Sequence, residues 1–227
     1  MSFDTVCSNC GAPSSPSVGV CPYCKTVLTK KKKISDSPTI TRIRKLFSDG
    51  HIDQALLMAS SVEKTKPKLI SNPNFVLLYV KILIETGGPS SKMRSLLARV
   101  LLDHPENEAL NEYMEIVMAS SRLTKGLNDV GEVELMNLLR RSPKNIHALF
   151  LLGSHRFWVD QDSRSSVKFL ERCYRLRPQF LRNTACLAAL YHSLGHRSQG
   201  NRLFRECVKL ETNKAMKDYF RKMASLS

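Results

Sequence analysis

The sequence predicts an all-α protein in which a solenoid of antiparallel helix pairs follows a small four-cysteine module. Three observations support this prediction: an internal repeat between Pro143 and Leu210, a helical hydrophobic period that begins at Ile40, and two Cys-x-x-Cys pairs within the first 24 residues. They divide the chain into a cysteine module at 1–29, a basic linker at 30–38 and a helical repeat domain at 39–227.

The net charge is the unusual part of the composition. Of 227 residues, 42% are hydrophobic and 24% are charged, as in ordinary folded proteins, but the formal net charge is +15. Residues 25–45 hold eight Lys and Arg against one acid, residues 46–139 hold nine against twelve, and residues 140–222 hold eighteen against six. Two basic ends around a mildly acidic middle favour an anionic partner, and a helix surface that is only solubilising is the alternative.

The start of the chain is polar, and no run approaches the roughly 18 apolar residues of a membrane span. We therefore expect no secretory signal, no membrane span and a cytoplasmic location. In a reducing compartment the seven cysteines are metal ligands or buried thiols and not disulfides.

The first four cysteines have the spacing of a metal site. Cys7 and Cys10 are followed, after ten residues, by Cys21 and Cys24. Each Cys-x-x-Cys pair forms a tight turn that directs two thiolates at one point, and four thiolates complete the tetrahedral shell of Zn²⁺. A redox Cys-x-x-Cys, the competing interpretation, lies in a βαβ pattern and needs no second pair.

The module resembles a short zinc ribbon. Its spacer of ten residues is shorter than the usual spacer of about 15–20 residues. Lys25 occupies the position at which a second glycine often follows. The resemblance implies one structural zinc ion, and a closed four-thiolate site leaves no position for catalysis. The module has too few apolar residues for a core, so the metal must hold it together.

A basic tract of four lysines separates the module from the helices. Consecutive like charges repel one another and carry no apolar period, so the tract is a linker. It either contacts phosphates or serves as a solvated hinge. The lysines are Lys30, Lys31, Lys32 and Lys33.

Helical periodicity then runs through three units of uneven quality. In the first, Gly50, Ala55 and Pro67 have the mutual offsets of a turn, a small residue and a closing proline. The second runs from Phe75 to Pro105. The third spans 38 residues between Pro105 and Pro143, which predicts an insertion or a looser connection at 123–131.

The last two units repeat most clearly. Phe150, Ser154, Phe157, Ser166, Leu170 and Cys173 recur 34 residues later as Thr184, Ala188, Tyr191, Gly200, Phe204 and Cys207. Small residues let the two helices of a hairpin approach closely, and aromatics fill the space between hairpins. With Gly195 at the turn, the pattern resembles the tetratricopeptide repeat. The resemblance covers about 37–212 and implies a right-handed solenoid of about five helix pairs, which a last amphipathic helix at 214–223 caps.

The resemblance also implies a concave groove lined by the first helix of each pair. By offset, its residues are Leu151, His155, Trp158, Arg182, Ala185, Ala189 and His192. Trp158 is the only tryptophan and a natural interface anchor, with packing between repeats as the alternative. The Lys, Asn and Arg set of relatives that bind acidic chain termini is not found, because Leu78, Tyr79 and Ile82 occupy the matching offsets.

No catalytic motif is found, and we interpret Cys173, Cys186 and Cys207 as packed thiols. The sequence therefore predicts a non-catalytic adaptor or assembly factor with a peptide or folded domain as its partner and no small-molecule substrate. The alternative is a nucleic-acid- or ribosome-associated factor. Its anion contacts are the four lysines of the linker and Arg172, Arg175, Arg177, Arg202 and Arg205.

Overall fold

The computed structural model describes residues 5–6, 13–14, 23–24 and 37–225. Contacts within the chain divide it into two units, Met1–Ser35 and Asp36–Ser227. Three of the predicted zinc ligands, Cys7, Cys10 and Cys21, and the linker lysines Lys30 to Lys33 lie outside the described residues.

The N-terminal unit contains a short antiparallel ladder. Strand β1 (Thr5–Val6) pairs with β2 (Pro13–Ser14), with Thr5 opposite Ser14 and Val6 opposite Pro13. The two strands flank the first Cys-x-x-Cys pair in the sequence. Cys24 lies in a turn and is half-buried.

The second unit is built from helices. Their bounds are α1 (Pro38–Ser48), α2 (Ile52–Thr65), α3 (Pro67–Ile70), α4 (Pro73–Thr86), α5 (Ser90–Asp103), α6 (Glu108–Thr124), α7 (Asn128–Arg141), α8 (Ile146–Trp158), α9 (Ser163–Leu176), α10 (Leu181–Ser193), α11 (Arg197–Leu210) and α12 (Lys214–Ala224). Six of them begin at a side-chain oxygen that accepts a backbone N–H, which satisfies donors that the helix itself cannot. These caps are Ser37, Asn72, Asn107, Asn145, Asp162 and Asn213.

Within residues 37–225 the helices form five hairpins, α1–α2, α4–α5, α6–α7, α8–α9 and α10–α11, and α12 packs on the last of them. The prediction of an all-helical repeat array is confirmed. Four hairpins turn at a glycine in the left-handed region, with φ between +77° and +85°, where a side chain is strained. These glycines are Gly50, Gly87, Gly126 and Gly195. The α8–α9 turn differs, because Gln161 adopts φ 55° there.

The third hairpin differs from the prediction made from the sequence. The looser connection predicted at 123–131 is wrong, because α6 continues to Thr124 and α7 begins at Asn128. The extra residues of this unit lengthen α6 to 17 residues, whereas α8 and α10 have 13 each.

The small repeat residues permit close helix contact, as expected. A Cβ atom built on Gly200 would lie 2.1 Å from His192 Cδ2 and 2.9 Å from the Ala188 carbonyl oxygen. Helices α10 and α11 could not approach this closely with a larger residue at this position.

Helix α4 lies at the centre of the array. Ten of its 14 residues are buried, and it contacts α1, α2, α5, α6, α8 and α10. A helix that is apolar on all sides is a buried helix, and the Phe75–Ile84 segment has this character. The first helices of the later hairpins, α6, α8 and α10, therefore pack around α4.

A buried ion pair ties α4 to the turn between α9 and α10. The Arg177 Nε donates to Glu85 Oε1 at 2.6 Å, and the exposed fractions of the two side chains are 12% and 2%. The same guanidinium donates to the Phe47 carbonyl oxygen at 2.7 Å and lies 4.0 Å from the Phe47 ring centroid. One side chain thus joins the first, second and fourth hairpins.

His147 and Tyr113 complete this network. His147 Nε2 lies 3.4 Å from Glu85 Oε1, and its Nδ1 lies 2.7 Å from the Tyr113 hydroxyl oxygen. Burial lowers the pKa of His147, so the ring is neutral at pH 7. A carboxylate beside Nε2 favours the tautomer with its proton there, and Tyr113 then donates to Nδ1.

Two further contacts close the array. The Arg182 Nη1 donates to the Ile84 carbonyl oxygen at 2.8 Å, near the C-terminus of α4. Thr212, which follows α11, donates its hydroxyl to Asp53 near the start of α2. The first two hairpins are thereby fixed to the last one.

We predict that Glu85→Ala destabilises the protein by about 3–5 kcal/mol, because it leaves the Arg177 charge buried without its partner. The free energy of unfolding, measured by urea titration with far-UV circular dichroism, tests this. Arg141→Ala is the control, since its ion pair with Glu115 is exposed and its loss should change little. Equal stability of Glu85→Ala and the wild type would contradict the proposed closure.

Candidate functional site

An open apolar cleft of about 440 Å³ lies at the C-terminal end of the array, between α8, α10 and α12. Ala185 and Ala189, one helical turn apart on α10, form a floor of small side chains. The buried side chains of Phe150 and Phe204 also line the cleft. The volume suits a few side chains of a partner. The remaining lining residues are Ser154, Trp158, Leu181, Arg182, Cys186, Glu211, Met216, Tyr219 and Phe220.

The rim of the cleft consists of exposed apolar side chains. Trp158 at the end of α8 is 63% exposed, and across the cleft Tyr219 and Met216 of α12 are 50% and 42% exposed. The Trp158 ring packs with its centroid 4.4 Å from that of Phe157, and Trp158 lines the cleft together with Cys186 of α10. Three large apolar side chains facing one cleft form an interaction surface more often than isolated exposed ones do.

Arg182 supplies positive charge at this cleft. It donates to Ile84 with Nη1, and its guanidinium lies 5.2 Å from the Phe150 ring centroid. Glu211 Oε1 accepts from the backbone N–H groups of Thr212 and Asn213, and so is committed to the start of α12. The cleft is therefore apolar with a basic side chain at one edge.

The structure brings together four of the seven groove residues predicted from the repeat offsets, namely Trp158, Arg182, Ala185 and Ala189. Leu151 is half-buried and lies in a separate depression beside Gly87 and Met93.

Two predicted groove residues lie elsewhere. His192 turns towards α11, where its Nε2 lies 2.7 Å from Asn201 Oδ1 and its ring packs on Phe204. His155 is buried, and its Nε2 lies 3.8 Å from Asp160 Oδ1. The close helix approach at Gly200 brings α11 beside His192, and the α8–α9 turn places Asp160 beside His155.

The residues that sequence reasoning missed are on α12. Met216, Tyr219, Phe220 and Met223 recur at helical spacing, and this signal by itself predicts only a cap. Two of these residues face the core and two reach the cleft rim: Phe220 is buried and Met223 half-buried, whereas Met216 and Tyr219 are exposed.

The basic residues of the last two hairpins form two exposed stripes. On α9 they are Arg164, Lys168, Arg172 and Arg175, and on α11 they are Arg202, Arg205 and Lys209. Tyr174 of α9 donates its hydroxyl to Glu206 of α11, which links the two outer helices at one point. Arg177, predicted among the anion contacts, lies instead in the ion pair with Glu85.

The three cysteines of the last hairpins are buried thiols, as predicted. Burial raises the pKa of Cys186 and Cys207 to about 12 and raises the pKa of Cys173 as well. They are therefore unreactive at neutral pH. Among the described helices, none combines the length and the apolar character needed to cross a membrane.

Similarity to known proteins is found among solved structures. No family model matches the chain, and no curated protein matches it. Among solved structures, YrrB, described as a TPR protein with an unusual peptide-binding site, has a TM-score of 0.41 and 11% identity over 85% of this chain and 94% of that one. MamA has a TM-score of 0.42 and 16% identity over 80% of this chain and 99% of that one.

A third solved structure has a higher TM-score. It is TTC0263, described as a thermophilic TPR protein in Thermus thermophilus, with a TM-score of 0.51 and 13% identity over 83% of this chain and 98% of that one. At this identity the similarity concerns the fold alone. The helical unit of the chain therefore has a tetratricopeptide-like repeat fold.

Proposed function

We propose that the protein is a non-catalytic adaptor that binds a short segment of another protein in the cleft between α8, α10 and α12. The observation that carries this proposal is the exposed rim of Trp158, Met216 and Tyr219 around a floor of two alanines. Aromatic side chains at the edge of a small pocket are the usual anchors of protein interfaces.

Arg182 at the cleft and the excess of basic residues in this part of the chain favour an acidic partner. Residues 140–222 hold eighteen Lys and Arg against six acids, and Arg182 lies at the cleft itself. A segment with one or two apolar anchors and acidic flanking residues would complement this surface. The apolar side chains would occupy the floor and a carboxylate would reach Arg182.

We further propose that the N-terminal unit holds one structural zinc ion through Cys7, Cys10, Cys21 and Cys24. The support is the two-pair spacing, together with the ladder of β1 and β2 that flanks the first pair and the turn that contains Cys24. In this role the unit is a second docking module of the adaptor.

A second candidate function is binding to nucleic acid. The observation that favours it is the contact between Tyr174 and Glu206, because it links α9 and α11, the helices that carry the two basic stripes. Adjacent rows of arginine can follow a phosphate backbone.

The zinc proposal predicts one tightly held zinc ion per chain after gel filtration in metal-free buffer. The double variant Cys21→Ser/Cys24→Ser should lose it, because two thiolates cannot close the site. Cys207→Ala, which removes a buried thiol elsewhere, should retain it. A wild-type protein without zinc and with all seven thiols titratable after denaturation would refute the proposal.

The cleft proposal predicts a sequence preference in a random peptide library selected on the full chain. Selected peptides should combine apolar residues with Asp or Glu, and Trp158→Ala should weaken their binding by about tenfold or more, as measured by fluorescence anisotropy. Leu102→Ala is the matched control, because Leu102 is an exposed apolar residue of α5, 84% accessible and far along the chain from the cleft.

Arg182→Gln should weaken the binding of acidic peptides more than that of neutral peptides. A selection that shows no sequence preference would contradict the cleft proposal. Equal losses of peptide affinity in Trp158→Ala and Leu102→Ala would contradict it as well.

The nucleic-acid alternative predicts binding of a random single-stranded oligonucleotide that weakens steeply with salt. The variant Arg172→Gln/Arg205→Gln should lower the slope of log K against log salt concentration by about 1.4, since each lost phosphate contact removes about 0.7. Lys64→Gln/Arg99→Gln removes the same charge from exposed positions in the first two hairpins and is the control. Identical slopes in both variants would exclude the α9–α11 stripes as the binding surface.

A further inference from the structure

A small cluster of ligand-type side chains lies where the start of α7 meets the end of α8. Glu132 of α7, His155 of α8 and Asp160 in the following turn offer one nitrogen and two carboxylate oxygens, all within 4.8 Å of one another. They come from two hairpins, and α7–α8 packing brings them together.

His155 is the unexpected member of this cluster. Its side chain is only 6% exposed, and its buried Nε2 atom makes no hydrogen bond to any described residue. It is directed at the carboxylates, with Asp160 Oδ1 at 3.8 Å. A buried polar atom without a partner is rare because it forfeits the hydrogen bond that water would provide.

The two carboxylates lie close to each other. A carboxylate oxygen of Asp160 lies within 4.8 Å of one of Glu132. Two carboxylates this close repel each other unless a proton or a cation lies between them. Arg156 fixes the Glu132 carboxylate, with Nη2 at 2.9 Å and Nε at 3.1 Å from Oε2. Since Oε1 has only the longer contact of 3.3 Å to Nε, it remains the better placed oxygen for a further ligand.

We propose that Glu132, His155 and Asp160 bind a divalent first-row transition-metal ion. One imidazole and two carboxylates, with no thiolate, are donors that suit ions such as Mn²⁺ and Fe²⁺. Ligands at about 2.0–2.2 Å from one ion lie about 3–4 Å apart, so the cluster must contract by about 1 Å. Asp160 can supply most of this movement, because it is the half-exposed member and follows the end of α8.

Arg156 has the place of an outer hydrogen-bond partner in this site. Its guanidinium orients Glu132 and packs at 5.4 Å over the Phe169 ring of α9. Outer partners of this kind hold a ligating carboxylate in the correct orientation. The site is distinct from the four-cysteine set and does not depend on the cleft proposal.

The test uses Mn²⁺, because thiolate sites favour zinc and the cysteine set will not compete for it. The full chain is titrated with Mn²⁺, and free ion is measured from its electron paramagnetic resonance signal. The wild type should bind one Mn²⁺ per chain. Asp160→Asn should weaken this binding by about tenfold or more, and His155→Asn should do so as well.

Asp162→Asn is the matched control. Asp162 is an exposed acid two residues from Asp160, and asparagine can cap α9 equally well, so this variant loses the same charge without losing a ligand. Cys21→Ser/Cys24→Ser should also bind Mn²⁺ normally. Far-UV circular dichroism of each variant verifies the fold.

A second readout locates the ion. Trp158 is the only tryptophan and lies between His155 and Asp160 in the sequence, so its single indole N–H resonance should be broadened by bound paramagnetic Mn²⁺. Absence of bound Mn²⁺ in the wild type, or equal losses in Asp160→Asn and Asp162→Asn, would overturn the proposal. Binding that leaves the Trp158 resonance unbroadened would overturn it too, because the ion would then lie elsewhere.

Discussion

The ion pair between Glu85 and Arg177 holds the helical unit in its particular form. In an ordinary repeat array each hairpin contacts only its neighbours, and the curvature follows from small rotations between them. Here a carboxylate on α4 and a guanidinium 92 residues later are buried against each other. Arg177 and Arg182 also donate to carbonyl groups in the last turns of α1 and α4. These carbonyls carry the negative end of each helix dipole, so the positive charges are favourable there.

This closure determines where a partner can bind. Because α4 occupies the centre, the first helices of the middle hairpins pack against it, and α6 and α8 leave beside it a depression of about 230 Å³ that contains Leu151. The apolar cleft lies at the end of the array, where α12 provides one wall and nothing in the described residues covers the other side. A cap helix in a repeat protein commonly shields the last hairpin. In this chain the same helix also presents Met216 and Tyr219 to solvent.

Local patterns in the sequence predict the hairpins but do not predict the long-range contacts between them. The 34-residue recurrence locates the last two hairpins, and the glycines of the turns are visible in the sequence. The length of the third unit fits a longer helix and a longer loop equally well. The connection within the third hairpin is mispredicted for this reason. Arg177 pairs with Glu85 only because the helical array is curved, and the spacing of residues in the sequence does not show this curvature. The sequence therefore places Arg177 among the anion contacts. Likewise, repeat offsets single out His155, but only the packing of two hairpins identifies its neighbour on α7. The four-cysteine zinc site remains a prediction from spacing.

The contact between Asp53 and Thr212 joins residues 159 positions apart, across almost the whole helical unit. Repeat arrays usually tolerate the gain or loss of a unit, since each unit carries its own contacts and folding can spread from any point. A closed array has no such freedom. One additional hairpin would move the Arg177 turn away from α4, and one fewer would leave α4 with an exposed apolar flank. The number of hairpins is therefore fixed by the geometry. The helical unit should fold slowly for a helical protein of its size, as a single cooperative body whose last contacts form only when its first and last hairpins have both been synthesised.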